Sequence, residues 1–154
     1  MIKGIFVNLT VKDLGKARTF WEGLGFSFYE EFCNDSAVCL VFGEGTYAML
    51  LVEKFFKSFI PGKELVDASK NTDVITAFSF ESREEIDDLM NKVSSLGGRE
   101  FREASDHGWM YARTFEDLDG HIWEFFFMNM DKMPKEEGKL EVDSLGEDDE
   151  GGVK

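Results

Sequence analysis

Ile5-Phe6-Val7-Asn8-Leu9-Thr10-Val11-Lys12-Asp13-Leu14 is the stretch on which the reading of the fold turns. Ile5, Val7, Leu9 and Val11 alternate with Phe6, Asn8 and Thr10, a period of two that predicts a strand whose faces meet different surroundings. Asp13 then stands where an N-cap belongs, and Leu14, Ala17, Phe20, Trp21 and Leu24 recur at helical spacing until Gly25 stops the run. Phe26 with Phe28, Cys39-Leu40-Val41-Phe42, and Tyr47 to Val52 supply three further strands, divided by turns at Asn34-Asp35 and Gly43-Glu44-Gly45. The order is β-α-β-β-β.

The same order returns downstream. After a connector holding Phe55, Phe56, Phe59 and Ile60 and the Pro61-Gly62 breaker, Val74 to Phe80 reads as a strand, and Ser82 with Glu85 as a capping box. Ile86, Leu89, Met90, Val93 and Leu96 form the apolar stripe of a helix that Gly97-Gly98 ends. Strands follow around Arg99 to Arg102, Trp109 to Phe115 and His121 to Met128, the last two joined at Asp117-Leu118-Asp119-Gly120. Each helix closes on Leu-Gly, at Leu24-Gly25 and Leu96-Gly97. The expected architecture is α+β: two βαβββ modules, residues 1–53 and 73–131, joined by a linker over 54–72, with curved mixed sheets forming a cleft. Half of such a protein exposes a whole sheet face, so each sheet needs a partner within or between chains.

Charge narrows the partners. With 31 acidic against 17 basic residues the formal charge is -14, which repels a phosphate backbone, so nucleic acid is not expected as a partner. No stretch approaches the roughly 20 apolar residues that cross a bilayer, and the amino end lacks a secretory pattern, so a cytoplasmic protein with no membrane partner is expected. In that compartment Cys33 and Cys39 read as free thiols. Residues 132–154, with Glu147-Asp148-Asp149-Glu150 and no aromatic residue, read as a flexible acidic tail.

Three segments carry a resemblance: the Ile5 to Leu14 stretch, Phe20-Trp21-Glu22-Gly23-Leu24-Gly25-Phe26, and Phe115-Glu116-Asp117-Leu118-Asp119-Gly120-His121-Ile122-Trp123-Glu124. Together they resemble the vicinal oxygen chelate superfamily, which includes glyoxalase I, bleomycin-resistance proteins, fosfomycin-resistance proteins and extradiol dioxygenases. The resemblance spans roughly Ile5 to Met130 and implies paired βαβββ modules, a cup-shaped site and a homodimer. The family's usual Asp-Pro-Asp-Gly turn appears here as Asp117-Leu118-Asp119-Gly120. Its metal-ligand positions fall on Phe6, on Leu50 or Leu51, on Ile75 and on Glu124, of which only Glu124 can bind an ion. One carboxylate cannot satisfy zinc, nickel, iron or magnesium, so no metal and no other cofactor is expected.

Glu124 becomes the candidate catalytic or ligand-orienting residue: an ionisable group expected among Phe6, Ile75, Ile122 and Phe126, or a structural carboxylate paired with a cation such as Arg113. His121 and Glu124 are three apart, which puts them on opposite faces of a regular strand, whereas His107 lies in a loop that could reach the cleft. Trp109, Tyr111 and Arg113 share one strand face, and the alternation alone does not decide whether that face lines the cleft. They stand as ligand-binding candidates beside Phe6, Asn8, Leu50, Ile75 and His107. The surplus of aromatic residues suits a flat, partly apolar organic ligand, and an acidic rim to the cleft suits a cationic one. Three functions compete: metal-free binding of a small molecule in an aromatic cleft, a lyase or isomerase of the lactoylglutathione lyase kind in which Glu124 moves a proton, and a structural or regulatory partner acting through the acidic tail.

Overall fold

The computed structural model describes residues 1–134 of the chain. Alternation along Ile5–Val11 (β1) is realised as a parallel pairing with Thr46–Val52 (β4), which sets Phe6 opposite Tyr47, Asn8 opposite Met49 and Thr10 opposite Leu51. Between them run Leu14–Leu24 (α1), Ser27–Phe28 (β2) and Ala37–Gly43 (β3), giving a sheet of order β1-β4-β3-β2. Asp13 caps α1 by accepting the Lys16 N–H at 2.9 Å. Gly25 ends the helix at φ 99°, a left-handed conformation that glycine adopts without a Cβ penalty. The connector opens with one short helix, Glu53–Phe59 (α2).

The second module repeats the plan with Ile75–Ser79 (β5), Arg83–Ser95 (α3), Arg99–Asp106 (β6), Met110–Glu116 (β7) and Ile122–Met128 (β8) in the order β5-β8-β7-β6. Ser82 caps α3 through the Glu85 N–H at 3.2 Å, while the Glu85 carboxylate takes the N–H of Glu81 rather than that of Ser82. β6 runs four residues past the Arg99 to Arg102 segment that the sequence suggests.

Both helices sit on the same side of their sheets, and those sides close on one core. Trp21 of α1, 1% exposed, meets Phe42 of β3 and also Phe115 and Trp123 of the second sheet, the last at 4.7 Å between ring centroids. Phe42 likewise meets Phe78 of β5 at 4.4 Å. The two modules therefore share their apolar interior instead of each burying its own. Polar ties reinforce the join: Asp119 accepts the Lys12 N–H at 2.8 Å and His121 Nε2 lies 2.6 Å from the Thr10 carbonyl. The outer sheet faces lie outside this core. Cys33 and Cys39 are free thiols, with Cys33 Sγ accepting the Cys39 N–H at 3.4 Å. No helix among the described residues is long and apolar enough to cross a membrane. The flexible tail expected over 132–154 falls, from residue 135 onward, outside the described residues.

Candidate functional site

Strand β8 decides which side chains face out. Trp123 and Phe125 are fully buried in the core, so Ile122, Glu124 and Phe126 take the opposite face. Register then places Ala77 of β5 and Thr114 of β7 on either side of Glu124. Glu124 Oε2 accepts from Arg102 Nη2 at 2.8 Å and from Thr114 Oγ1 at 3.4 Å, and Arg102 Nε donates to Thr114 Oγ1 at 3.0 Å. The result is a closed triangle of carboxylate, guanidinium and hydroxyl at the middle of the outer face. The Glu124 side chain keeps 23% of its exposure, so solvent or a ligand can reach it.

Arg102 reaches this place because β6 is irregular. The pairing of β6 with β7 shifts register between Glu100 and Arg102 and again between Arg102 and Ser105. A bulge re-aims the side chains beyond it. Arg99 and Arg102, three apart, would face opposite ways on a regular strand, yet Arg99 bonds to Glu116 and Arg102 to Glu124, both on the outer face.

The other candidates divide. Phe6 is half exposed on the outer face of the first sheet and stacks on Tyr47 at 4.6 Å; it does not neighbour Glu124 in register, being on the other sheet. Asn8 is exposed on the edge strand β1, and Ile75, 59% exposed, lies on the outer face of the edge strand β5. Leu50 is completely buried with α1, and Leu51 takes the face of Phe6, so the one-residue ambiguity in register resolves toward Leu51. Tyr111 and Arg113 are on the helix side: Tyr111 Oη donates to Asp87 of α3 at 2.7 Å, and Arg113 bonds to Asp87 and Glu100. They are thus turned away from Glu124, and the cation paired with Glu124 is Arg102 rather than Arg113. Trp109 precedes β7, half-buried, with its carbonyl accepting the Asn129 N–H. His107 is exposed in the β6–β7 turn, with Nε2 3.0 Å from Ser105 Oγ.

The electrostatics of the helix side are closed. Hydrogen bonds from Tyr111 and Arg113 hold the Asp87 carboxyl below its ordinary range in spite of burial, and burial together with Asp87 raises the Tyr111 phenol. At the β7–β8 turn, burial pushes the Asp117 carboxyl up, against His121 and the N–H donors of Trp123 and Asp119. That turn is a structural hub, joining both modules.

A concavity of about 380 Å³ lies where the linker passes over β1 and the start of β8. Asn8, Thr10, Phe56, Ile60, Thr76 and His121 are among its lining residues. Its size is within the range of small-molecule sites.

The donor chemistry does not fit the family metal. Phe6, Leu51 and Ile75 offer no lone pair, Glu124 already bonds Arg102 and Thr114, and no group of three His, Cys, Asp or Glu residues that could hold an ion occurs among the described residues.

With this geometry in place, comparison with known proteins identifies the class. The family model for the Glyoxalase/Bleomycin resistance protein/Dioxygenase superfamily matches residues 5–125, and the chain belongs to that superfamily. Among solved structures, a hypothetical protein from S. aureus is 31% identical, with a TM-score of 0.71 over 82% of this chain and 95% of that one. A glyoxalase-related enzyme from Fulvimarina pelagi is 22% identical, with a TM-score of 0.69 over 82% and 88% of the two chains. A genomically encoded fosfomycin resistance protein from Listeria monocytogenes, also 22% identical, gives 0.60 over 85% and 98%. The last two show a shared fold. No functionally curated protein matches the sequence.

Proposed function

We propose that the protein binds a small organic molecule against the outer face of the β5-β8-β7-β6 sheet, around Glu124, without the family metal. The observation that carries this reading is the Glu124–Arg102–Thr114 triangle on a face where Phe126 follows Glu124 along β8 and the apolar Ile75 and Met128 are exposed at 59% and 41% toward the two ends. A few converging polar groups on an apolar floor are what small-molecule sites consist of. Ile5 and Ile75, apolar and exposed at 58% and 59%, suit contact with a second copy of the chain, and a homodimer that walls the face completes the proposal.

Proton transfer is the second reading. Glu124 Oε1 has no hydrogen-bond partner among the described residues and is the oxygen that would take a proton, but the site offers no ion to stabilise an enediolate.

Thermal denaturation of the purified protein across a panel of small organic compounds, with metal content measured on the same sample, tests the reading. Stabilisation by a compound in metal-free protein supports it. A stoichiometric transition metal whose removal abolishes every stabilising response contradicts it.

A further inference from the structure

Resting on the assignment of the outer face as the binding site, the geometry points to a carboxylate-bearing ligand, read by the guanidinium forks of Arg102 and Arg99. A guanidinium has two edges that can offer a parallel pair of N–H groups: the side edge, Nε with Nη2, and the end edge, Nη1 with Nη2. Arg102 uses its side edge on Thr114 and Glu124, and Arg99 uses its side edge on Glu116. Neither Nη1 donates to any group of the described residues, so both end edges remain open.

The remaining arginines differ. Arg83 uses Nη1 and Nη2 on Asp106, Arg18 uses both on Glu30, and Arg113 places Nη1 on Asp87. Open forks are confined to the two arginines that the β6 register shifts bring to one face. Their side chains are 55% and 73% exposed, while Glu124 and Glu116, at 23% and 17%, lie deeper and fix them from below. Carboxylates that anchor the inner edge of a guanidinium leave its outer fork preorganised for a planar pair of oxygens, with less side-chain entropy to lose on binding. The apolar part of the ligand then rests on Phe126, which follows Glu124 on the same face.

Glu124 has a different role here from that of a partner for a cation. It is a positioning residue for Arg102, and its negative charge opposes the ligand's.

Three probes of one shape separate these roles: benzoate, benzamide and benzamidinium, titrated into the full-length protein with backbone amide shifts of β6, β7 and β8 as the readout. Benzoate is expected to move those amides and the other two to bind more weakly. Arg102→Gln should weaken benzoate by about tenfold or more, and Arg102→Lys, which keeps charge but loses the fork, by an intermediate factor. Glu124→Gln should tighten benzoate, because it removes the opposing charge and keeps an acceptor for Arg102. Amide shifts elsewhere in each variant report whether it folds. Benzamidinium binding in preference to benzoate, or benzoate affinity indifferent to Arg102, overturns the carboxylate assignment and leaves the outer-face site standing. If no probe and no member of the wider compound panel moves the outer-face amides, both fail together.

Discussion

Replacing Trp21 by alanine tests whether the two modules share one core. The Trp21 ring is 1% exposed and meets Phe20, Phe26 and Phe42 of its own module and Phe115 and Trp123 of the other, at centroid distances from 4.7 to 6.3 Å. Truncating a buried Trp costs about 3–5 kcal/mol, and five aromatic neighbours that cannot collapse into the gap place this site toward the upper end. Against a total stability of about 5–15 kcal/mol, that removes roughly a third or more. The remaining tryptophans, Trp109 and Trp123, both lie in the second module, so their fluorescence follows that module while far-ultraviolet circular dichroism follows both. In urea the two signals should move together to a lower midpoint in Trp21→Ala. A fluorescence midpoint left at the wild-type value, with ellipticity lost in a separate earlier phase, would show that the modules fold independently and refute the shared core.

Other predictions follow from single contacts. Gly120 has φ 95°, and a Cβ there would stand 2.6 Å from the Ala68 carbonyl oxygen, so Gly120→Ala should cost more than about 1 kcal/mol in thermal or urea unfolding, because backbone on both sides must shift. Asp87→Asn weakens the bonds to Tyr111 and Arg113 and should cost about 1 kcal/mol, since the Asp87 side chain is 48% exposed, while compound binding at the outer face stays the same because these groups lie on the helix side. A changed affinity with unchanged stability would contradict that placement. Arg83 holds the Asp106 carboxyl down at about 2. The folded value is below the unfolded one, so the contribution of this pair is present above the ordinary Asp range near 3.8 and is lost as pH falls toward about 2. A carboxyl titration by NMR should show that midpoint, and Arg83→Gln should raise it toward the ordinary range, with the Gly108 N–H still holding it partly down.

Much of the fold is legible in the residues because local signals agree. Period-two alternation in Ile5–Val11, the Asp13 and Ser82 caps and the Gly25 stop each have one physical reading: Asp13 and Gly25 fix α1 to its observed ends, and Ser82 fixes the start of α3. The site is less legible. Glu124 follows from alternation beside Trp123, but Arg102 depends on register shifts in β6 for which Arg99-Glu100-Phe101-Arg102 carries no glycine or proline signal. The choice between Leu50 and Leu51 needs the β1–β4 register, since both are apolar and both are buried. Tyr111 and Arg113 look like site residues because polar side chains on a strand face suggest solvent. Asp87, on a helix 24 positions before Tyr111, supplies the partner that lets them face inward.

The most direct test of the binding site is a crystal structure of the protein with the compound that stabilises it most in the thermal panel. Ligand density against Glu124 and Arg102 on the outer face of the second sheet is the predicted result. Density confined to the cavity beneath the linker, beside Phe56, Ile60 and His121, would contradict the account and move the site to the edge of β1.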